Sequence, residues 1–411
     1  MTRVRASLTV LAVVLATAAV LPSPGTEDVP TWMRWAANAD ALGAVTGFQI
    51  NAADYPPYST VILRAAVRAV HPFSIGTFGA VKAVIATFLF LTSLVFWLWT
   101  RDFLLTLVLH LSLVLNSVAL GYLDVFAAPS LLLSLWALKE RHLTPFAVFY
   151  ALACLTKWQP VILAPFLVVY LLHEKDVIRR ALLPAAAVGL VTAAVFGPIA
   201  IAKAWLLATN NAFLSGDALN FGWILTHGLH VFYPLTFGGL VHGEAGNIMT
   251  RSRAITSVPR LLFVLCYAST LVAFFRRDRT FGNVLLFSVI GYLAYFTFNT
   301  GVHENHLFLV ALLSIVLYWT SAGHLGLMVF AIAMSNINLL LFYGTDGNGL
   351  GFSRAIAGRI DVALLLAIFN VIMFLVFAFT LLTPSRDDGI VVEGRGQHGR
   401  PSSEHRRIPP H

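Results

Sequence analysis

The sequence predicts an all-α protein that crosses a membrane about twelve times, with interfacial helices in its first long outer loop. Three observations predict this class. Of the 411 residues, 58% are hydrophobic and 11% are charged, whereas soluble domains carry about 25% charged residues. The mean hydropathy is +0.80. Apolar runs recur along the chain, and they approach the roughly 20 helical residues that span a hydrocarbon core.

The apolar runs are too long and too continuous for the strands of a transmembrane barrel, whose residues alternate between lipid and lumen. A helix satisfies its own backbone hydrogen bonds inside lipid, so helices are expected. The predicted spans cover residues 6–21, 82–99, 103–119, 122–138, 143–156, 159–172, 181–202, 259–275, 281–299, 304–320, 323–342 and 361–382.

Loop charge predicts which side of the membrane each loop faces. With the amino terminus in the cytoplasm, short cytoplasmic loops are dense in Arg and Lys, as the positive-inside rule expects. Two long loops, residues 22–81 and 203–258, then lie outside the cytoplasm, with a third at 343–360. Long ordered loops usually carry function, so the extracytoplasmic side is the expected functional side. The basic residues of the short cytoplasmic loops are Arg101, Lys139, Arg141, Lys175, Arg179, Arg180, Arg276, Arg277 and Arg279.

The spans form one transmembrane domain over residues 1–383, located in the cell membrane. Residues 384–411 are rich in Arg, Gly, Ser, Pro and His, which predicts a disordered cytoplasmic tail. Residues 1–21 also fit a cleaved signal peptide, since Ala16-Thr17-Ala18 follows a basic start and an apolar stretch. Residues 143–172 are expected to form two spans, because a single broken helix would place the later basic cluster outside.

Composition and charge exclude several classes of function. The formal net charge is +8, but the basic residues lie in short loops and in the tail, so nucleic acid is not an expected partner. Membrane lipids are, because such residues contact headgroups. Cys154 and Cys266 both fall inside apolar runs, which argues against a disulfide framework or a thiolate metal site.

The first outer loop opens with acidic and aromatic residues. Glu27 and Asp28 precede Trp32 and Trp35, which share one helical face. A carboxylate beside aromatic rings can accept a proton from a substrate hydroxyl while the rings hold a sugar or a lipid. The alternative is structural: Asp28 begins a helix that opens at Pro30, and the tryptophans anchor in the interface.

The string Asp54-Tyr55-Pro56-Pro57 follows in the same loop. Its prolines stiffen the chain and hold an acid and a phenol at the start of a helix, although a purely structural turn is the alternative. Arg64, Arg68 and His71 then form a basic stripe, which predicts an interfacial helix. Arg64 could contact a substrate phosphate, with lipid headgroup contact as the alternative.

Other polar residues lie beside apolar runs. Lys157 must reach the interface, pair with a carboxylate or bind a phosphate, because a lone ammonium is costly there. Asp124, at the outer start of a span, either pairs with a cation or caps its helix, and capping is favoured. Asn220 and Trp223 precede an apolar stretch of the second outer loop, where substrate contact and interface anchoring both stay open.

The most polar segment between two apolar runs extends from Asn299 to His306. His303 and Glu304 at a helix N-terminus suit anion recognition, because free backbone N–H groups and an imidazole can both donate. The histidines are three residues apart, which does not match the HExxH spacing of zinc enzymes. A plain helix-capping cluster is the alternative.

The predicted topology places these residues on one side of the membrane. Because that topology is assigned mainly from the Lys and Arg residues of the loops, it does not have to bring the candidate site residues together. Carboxylates for base catalysis, cations for a phosphate and aromatic surfaces at headgroup level suit one task well. That task is the transfer of a sugar carried on a lipid phosphate.

On these residues the chain resembles the GT-C class of multi-spanning glycosyltransferases, which use polyprenyl-phosphate sugars. It is similar in particular to the branch of dolichyl-phosphate-glucose α-1,3-glucosyltransferases and to related bacterial mannosyltransferases. The resemblance covers most of the chain, up to residue 345. It is based on Asp28, on Asp54-Tyr55-Pro56-Pro57, on the segment from Lys157 to Pro160 and on Val302-His303-Glu304.

The resemblance implies an inverting single displacement. Asp28 would take the proton of the acceptor hydroxyl as this hydroxyl attacks the anomeric carbon, although the adjoining Glu27 could take that role. Polyprenyl phosphate would leave, with its charge held by His303 and by Lys157 or Arg64. The acceptor would be a glycan, a lipid-linked group or a protein. Some members of the class use a divalent metal ion, for which the sequence offers no evident ligand set.

A transporter or flippase of lipid-linked saccharides is the alternative function. Transporters usually place polar groups near the bilayer midplane and often contain internal repeats. In this sequence the polar residues gather at the ends of the predicted spans, and no repeat is visible.

Overall fold

The computed structural model describes residues 2–51, 53–172 and 174–382. The tail at residues 384–411, expected to be disordered, lies outside these residues. Eighteen α-helices occur within the described ranges: α1 (Thr2–Val20), α2 (Asp28–Leu42), α3 (Ala44–Asn51), α4 (Pro57–Val70), α5 (Thr77–Thr100), α6 (Phe103–Val114), α7 (Ala128–Lys139), α8 (Leu143–Thr156), α9 (Ala164–Leu171), α10 (Leu183–Phe196), α11 (Pro198–Thr209), α12 (Phe221–Phe232), α13 (Pro234–Phe237), α14 (Arg253–Phe275), α15 (Phe281–Phe298), α16 (Phe308–Thr320), α17 (Leu325–Tyr343) and α18 (Val362–Leu382).

Shorter helical turns extend or join these elements. Two strands, β1 (Ala355–Ile356) and β2 (Ile360–Asp361), form an antiparallel hairpin in which Ala355 pairs with Asp361. The 3₁₀ turns are His71–Phe73, Leu123–Ala127, Gln159–Leu163, Glu304–Leu307 and Ala322–His324, and the π turns are Leu115–Ala119 and Ile178–Leu182.

Every apolar segment predicted from the sequence contains helix, and the chain is an all-α membrane protein. Apolar side chains on α10, α14 and α18, such as Leu190, Leu261 and Leu365, face outward. A helical surface of this kind suits contact with lipid. Six described helical segments are long and apolar enough to cross a membrane: Thr77–Thr100, Ile178–Phe196, Arg253–Phe275, Phe281–Phe298, Ala322–Tyr343 and Val362–Leu382.

The seventh predicted span, residues 181–202, is wrong at its carboxyl end. α10 ends at Phe196, and Gly197 follows with a left-handed φ of 86°. Pro198 then begins α11, because it has no N–H with which to continue the hydrogen-bond ladder of α10. The Gln49 side-chain amide donates to the Phe196 carbonyl oxygen at 3.1 Å, so α3 caps the broken end.

The helices run between two ends of the bundle. At one end, which we call the tryptophan end, the Trp99 ring centroid lies 5.1 Å from that of Trp319 and 6.4 Å from that of Trp136. Phe281, the first residue of α15, also contacts Trp99. α15 has 18 residues and therefore rises by about 27 Å, close to the thickness of a hydrocarbon core. Its far terminus marks the opposite end, which we call the site end.

The first predicted outer loop, residues 22–81, is mostly helical, since α2, α3 and α4 pack against one another there. The two apolar segments predicted at 143–156 and 159–172 are separated by non-helical backbone at Lys157. α8 ends at Thr156, Lys157 is extended with a φ of −145°, and a 3₁₀ turn begins at Gln159. An ammonium at this break lies at the site end instead of inside a continuous apolar helix.

A buried polar contact joins α1, α5 and α6. His110 is fully buried, and its Nε2 and Nδ1 atoms each lie 2.9 Å from a hydroxyl, Nε2 from that of Thr17 and Nδ1 from that of Ser93. A buried imidazole without partners would cost free energy in apolar surroundings. The two hydroxyls therefore fix the packing of three helices through one ring.

We predict that Thr17→Val lowers the stability of the protein by about 1 kcal/mol, because His110 Nε2 then loses its partner. Thr87→Val is the matched control, since the Thr87 hydroxyl is exposed and bonds only to the Ala83 carbonyl of its own helix, at 2.8 Å. Thermal unfolding of both variants in one detergent measures the difference. Equal melting temperatures would contradict the role of the His110 contact.

Candidate functional site

The loops at the site end enclose a cavity of about 300 Å³, which we call the acidic cavity. Asp28 at the start of α2 and His303 before α16 line it together, although 274 residues lie between them in the chain. The residues predicted from the sequence that line this cavity are Glu27, Asp28, Asp54, Tyr55, Lys157, His303 and Glu304.

A second cavity of about 210 Å³, which we call the apolar cavity, adjoins the first. Trp158, Val161, Ile162, Trp205 and Ala208 give it a largely apolar lining. One wall is shared, because the same residues line both cavities. The residues of this shared wall are Asp54, Tyr55, Lys157, Asn211, His303 and His306.

Asp28 is a half-buried carboxylate in the first turn of α2. Its pKa is raised from 3.8 to about 6, mainly by burial; the nearby Lys157 ammonium opposes this rise, and the carboxylates of Asp54, Glu27 and Asp124 add to it. No described residue hydrogen-bonds the Asp28 carboxylate. Asp28 is therefore a free carboxylate whose pKa lies close to neutral pH, as general bases require.

Lys157 is buried and paired. Its Nζ lies 3.3 Å from Asp124 Oδ1, with side-chain exposures of 9% and 0%, and it donates to the Tyr55 hydroxyl. Asn305 Nδ2 donates to the other oxygen of Asp124 at 2.8 Å. These partners hold the ammonium at the shared wall, while the extended backbone of Lys157 keeps it out of a helix.

The tryptophans of α2 form the wall beside Asp28. Trp32 and Trp35 are buried, and their rings lie 5.1 and 5.8 Å from the ring of Tyr55, edge to face. The Lys157 ammonium lies 3.8 Å from the centroid of that same Tyr55 ring. The tryptophans thus line the acidic cavity and do not anchor an exposed helix face, which was the alternative interpretation.

Three extended segments hold His303 in place. Residues 212–214 pair with residues 248–250, and residues 213–216 pair with residues 301–304. Gly216 donates to the Val302 carbonyl at 2.9 Å, and the Glu304 N–H donates back to the Gly216 carbonyl at 3.0 Å. The imidazole of His303 packs directly against Gly216. A Cβ atom at position 216 would lie only 2.5 Å from Nδ1 of His303, so a larger residue would clash with the ring.

Burial and, to a smaller extent, the nearby Lys157 ammonium together lower the pKa of His303 to about 4, so the ring is neutral at neutral pH. Glu304 is buried and accepts a hydrogen bond from the Tyr122 hydroxyl. His306 stacks on Tyr295, and its Nδ1 lies 3.0 Å from the Tyr295 hydroxyl oxygen. The shared wall therefore carries one ammonium and two imidazoles.

Some of the predicted site residues lie elsewhere. Arg64 lines neither cavity. Asn220 caps α12, since its Oδ1 accepts from the Trp223 N–H at 3.0 Å, and its Nδ2 donates to the Phe296 carbonyl. Trp223 is fully buried against Phe342, because burying a large ring outweighs keeping it at the interface. Neither Asn220 nor Trp223 lines the acidic cavity or the apolar cavity.

The prediction that Asp124 favours helix capping is wrong. Its carboxylate pairs with Lys157 and accepts from Asn305, and no capping bond is formed by this side chain. An ion pair prevails over a cap here because the ammonium is buried as well. Asp124 lies behind Lys157 and lines neither cavity.

Sequence reasoning missed several residues of the acidic cavity. Asn211 contacts His303 at 2.6 Å, and Asp217 accepts from Tyr343 at 3.1 Å. Burial raises the pKa of Asp217, although hydrogen bonds from Asn247 and Tyr343 oppose this. The left-handed φ of 49° at Asp217 marks a turn that its sequence, Ser-Gly-Asp, weakly suggests.

In the described part of the chain, no group of three or more His, Cys, Asp or Glu is arranged to hold a metal ion. No protein-family model matches this chain, and no curated protein matches its sequence.

We predict that Asp124→Ala destabilises the protein by about 3 kcal/mol, because it leaves the Lys157 ammonium buried without a counter-charge. The double variant Asp124→Leu, Lys157→Met should regain part of this loss. Asp40→Ala is the control, since the Asp40–Arg68 pair is exposed and such pairs contribute less than about 1 kcal/mol. Thermal unfolding in detergent measures all three, and equal losses for Asp124→Ala and Asp40→Ala would contradict the prediction.

Proposed function

We propose that this protein is an inverting glycosyltransferase that moves a hexose from a polyprenyl-phosphate donor to an acceptor hydroxyl on the extracytoplasmic side of the membrane. The observation that carries the proposal is the joint lining of one cavity by Asp28 and Lys157, next to a second cavity with apolar walls. A free carboxylate, a buried cation and an apolar chamber match the three parts of the reaction.

Asp28 is suited to act as the general base. It is unpaired, its pKa of about 6 suits proton transfer near neutral pH, and Trp32 and Trp35 provide flat surfaces for a sugar beside it. The proton of the acceptor hydroxyl moves to Asp28 as the hydroxyl oxygen bonds to the anomeric carbon. Glu27 is exposed and is less suited to this role.

Lys157 is suited to hold the departing phosphate. The bond between the anomeric carbon and the phosphate oxygen breaks, and its electron pair stays on that oxygen. The ammonium at the shared wall stabilises the negative charge, and a neighbouring imidazole can donate a hydrogen bond. Because Asp124 and Tyr55 already hold the ammonium in position, it needs little rearrangement to do so.

The apolar cavity is suited to the first isoprene units of the donor. Trp158 and Trp205 contact each other at a ring distance of 5.2 Å, and Val161 and Ile162 line the same space. A polyprenyl chain that lies there brings its phosphate to Lys157 on the shared wall. Apolar burial of the chain then supplies binding free energy without any sugar-specific contact.

We also infer that the protein crosses the membrane twelve times and has a GT-C-like fold. Each predicted apolar segment contains helix, and α5, α7 and α16 end at the tryptophan end, where α15 begins. The site end would face away from the cytoplasm, since the short basic loops at Arg101, Lys139 and Arg276 follow helices that end at the opposite side.

We predict that Asp28→Asn lowers transfer of hexose from a polyprenyl-phosphate donor by about 10² to 10⁴-fold, because the base is lost. Binding of the donor should be unchanged, since the phosphate contacts remain. Asp40→Asn is the matched control: it removes a carboxylate from the same helix, but this one is exposed and paired with Arg68. Transfer is measured with labelled donor in reconstituted membranes.

Transfer by the Asp28→Asn variant at the rate of the unchanged protein would show that Asp28 is not the general base. Absence of any donor binding by the unchanged protein would remove the enzyme proposal itself. Movement of the intact lipid-linked sugar across the bilayer, without transfer, would favour a flippase.

We predict that kcat/KM rises about tenfold per pH unit below pH 6 and levels off above it, because Asp28 accepts a proton only when ionised. Glu27→Gln should move this rise to lower pH, since the Glu27 carboxylate is one of the charges that raise the pKa of Asp28. The measurement is a pH profile of transfer for both proteins. A profile that Glu27→Gln leaves in place would contradict the assignment of the titrating group.

A further inference from the structure

The two imidazoles of the shared wall differ in which nitrogen can donate a hydrogen bond. His303 and His306 both line the two cavities, and their ring centroids are 5.6 Å apart. The surrounding groups decide which ring nitrogen is left to donate to a ligand, because backbone N–H and side-chain amide NH₂ groups can only donate.

The Nε2 atom of His303 is an acceptor. The Phe213 N–H donates to Asn211 Oδ1 at 3.0 Å, which fixes the orientation of that side-chain amide. Asn211 Nδ2 then faces His303 Nε2 at 2.6 Å and can only donate to it. Both ring nitrogens of His303 are therefore occupied: Nε2 faces the Asn211 amide, and Nδ1 is covered by Gly216, with Glu304 Oε2 at 3.8 Å.

The Nε2 atom of His306 is a donor. The His303 backbone N–H lies 3.4 Å from His306 Nδ1, and the Tyr295 hydroxyl lies 3.0 Å from the same atom. Because a backbone N–H can only donate, Nδ1 of His306 accepts and its proton lies on Nε2. No described residue accepts a hydrogen bond from this Nε2–H, and the ring lines both cavities.

We propose that His306, and not His303, donates the imidazole hydrogen bond to the donor phosphate, and that His303 is a positioning residue. This inference rests on the proposed function. The Nε2–H of His306 and the Lys157 ammonium stabilise the electron pair left on the phosphate oxygen, and no proton needs to move. His303 holds the wall instead, through its backbone N–H to His306 and its ring contact with Asn211.

The test measures binding of a polyprenyl monophosphate and of the matching uncharged polyprenol to the full-length protein in nanodiscs at pH 7.5. The ratio of the two affinities isolates the phosphate contacts from packing of the lipid chain. His306→Gln keeps an N–H donor near the position of Nε2, whereas the shorter His306→Asn does not. His303→Asn keeps a side-chain amide near Nδ1 and lacks the Nε2 acceptor.

We expect His306→Asn to reduce the affinity ratio about tenfold, as loss of a hydrogen bond to a charged group would. His306→Gln should stay close to the unchanged protein, and His303→Asn should leave the ratio unchanged even if it lowers stability. Two results would overturn the proposal: a reduced ratio in His303→Asn but not in His306→Asn, or a reduced ratio in His306→Gln. Should His306→Asn not fold, His306→Phe takes its place, because it keeps a ring stacked on Tyr295 but has no N–H, and an unchanged affinity ratio in it would overturn the proposal.

Equal affinity of the unchanged protein for monophosphate and polyprenol has a different meaning. It would remove the phosphate site, and with it the proposed function, rather than the choice between the two histidines.

Discussion

A lysine ammonium buried beside an apolar helix bundle needs a counter-charge, and this requirement organises the site end. Lys157 meets it through Asp124 at 3.3 Å and through the Tyr55 hydroxyl, and Asp124 in turn accepts from Asn305. One cation thus joins four segments that lie far apart in the sequence. Several parts of the site surround that ammonium: the shared wall, which includes His303 and His306, and the tryptophans beside Asp28.

Much of the fold could be predicted because lipid imposes a simple rule on the chain. A segment that lies in hydrocarbon must be apolar and helical, so apolar runs indicate the helices directly. Two apolar runs on either side of Lys157 predicted two separate segments there, and α8 does end at Thr156. The charges of the loops also predicted that four residues lie on the same side of the membrane: Asp28, Asp54, Lys157 and His303. These four residues do line one cavity.

The remaining features depend on partners that local sequence does not reveal. Asp124 has the position of a helix cap, but the partner that decides its role lies 33 residues later. Trp223 has the flanks of an interfacial residue, yet packing on Phe342 buries it. Asn211 and Tyr122 belong to no recognisable motif. Only the folded chain shows that Asn211 contacts His303 and that Tyr122 donates to Glu304. Gly197 ends a span that hydropathy alone would continue.

The order of the paired residues along the chain bears on how the protein is inserted during synthesis. Tyr55 and Asp124 both precede Lys157 in the chain, so both partners of the ammonium have already emerged from the ribosome when Lys157 is made. The segments that carry Asn211 and the two histidines are made later. An insertion intermediate that ends after α9 therefore already contains Asp124, the counter-charge for its buried lysine. The two imidazoles are added later, to a site in which the ammonium is already paired.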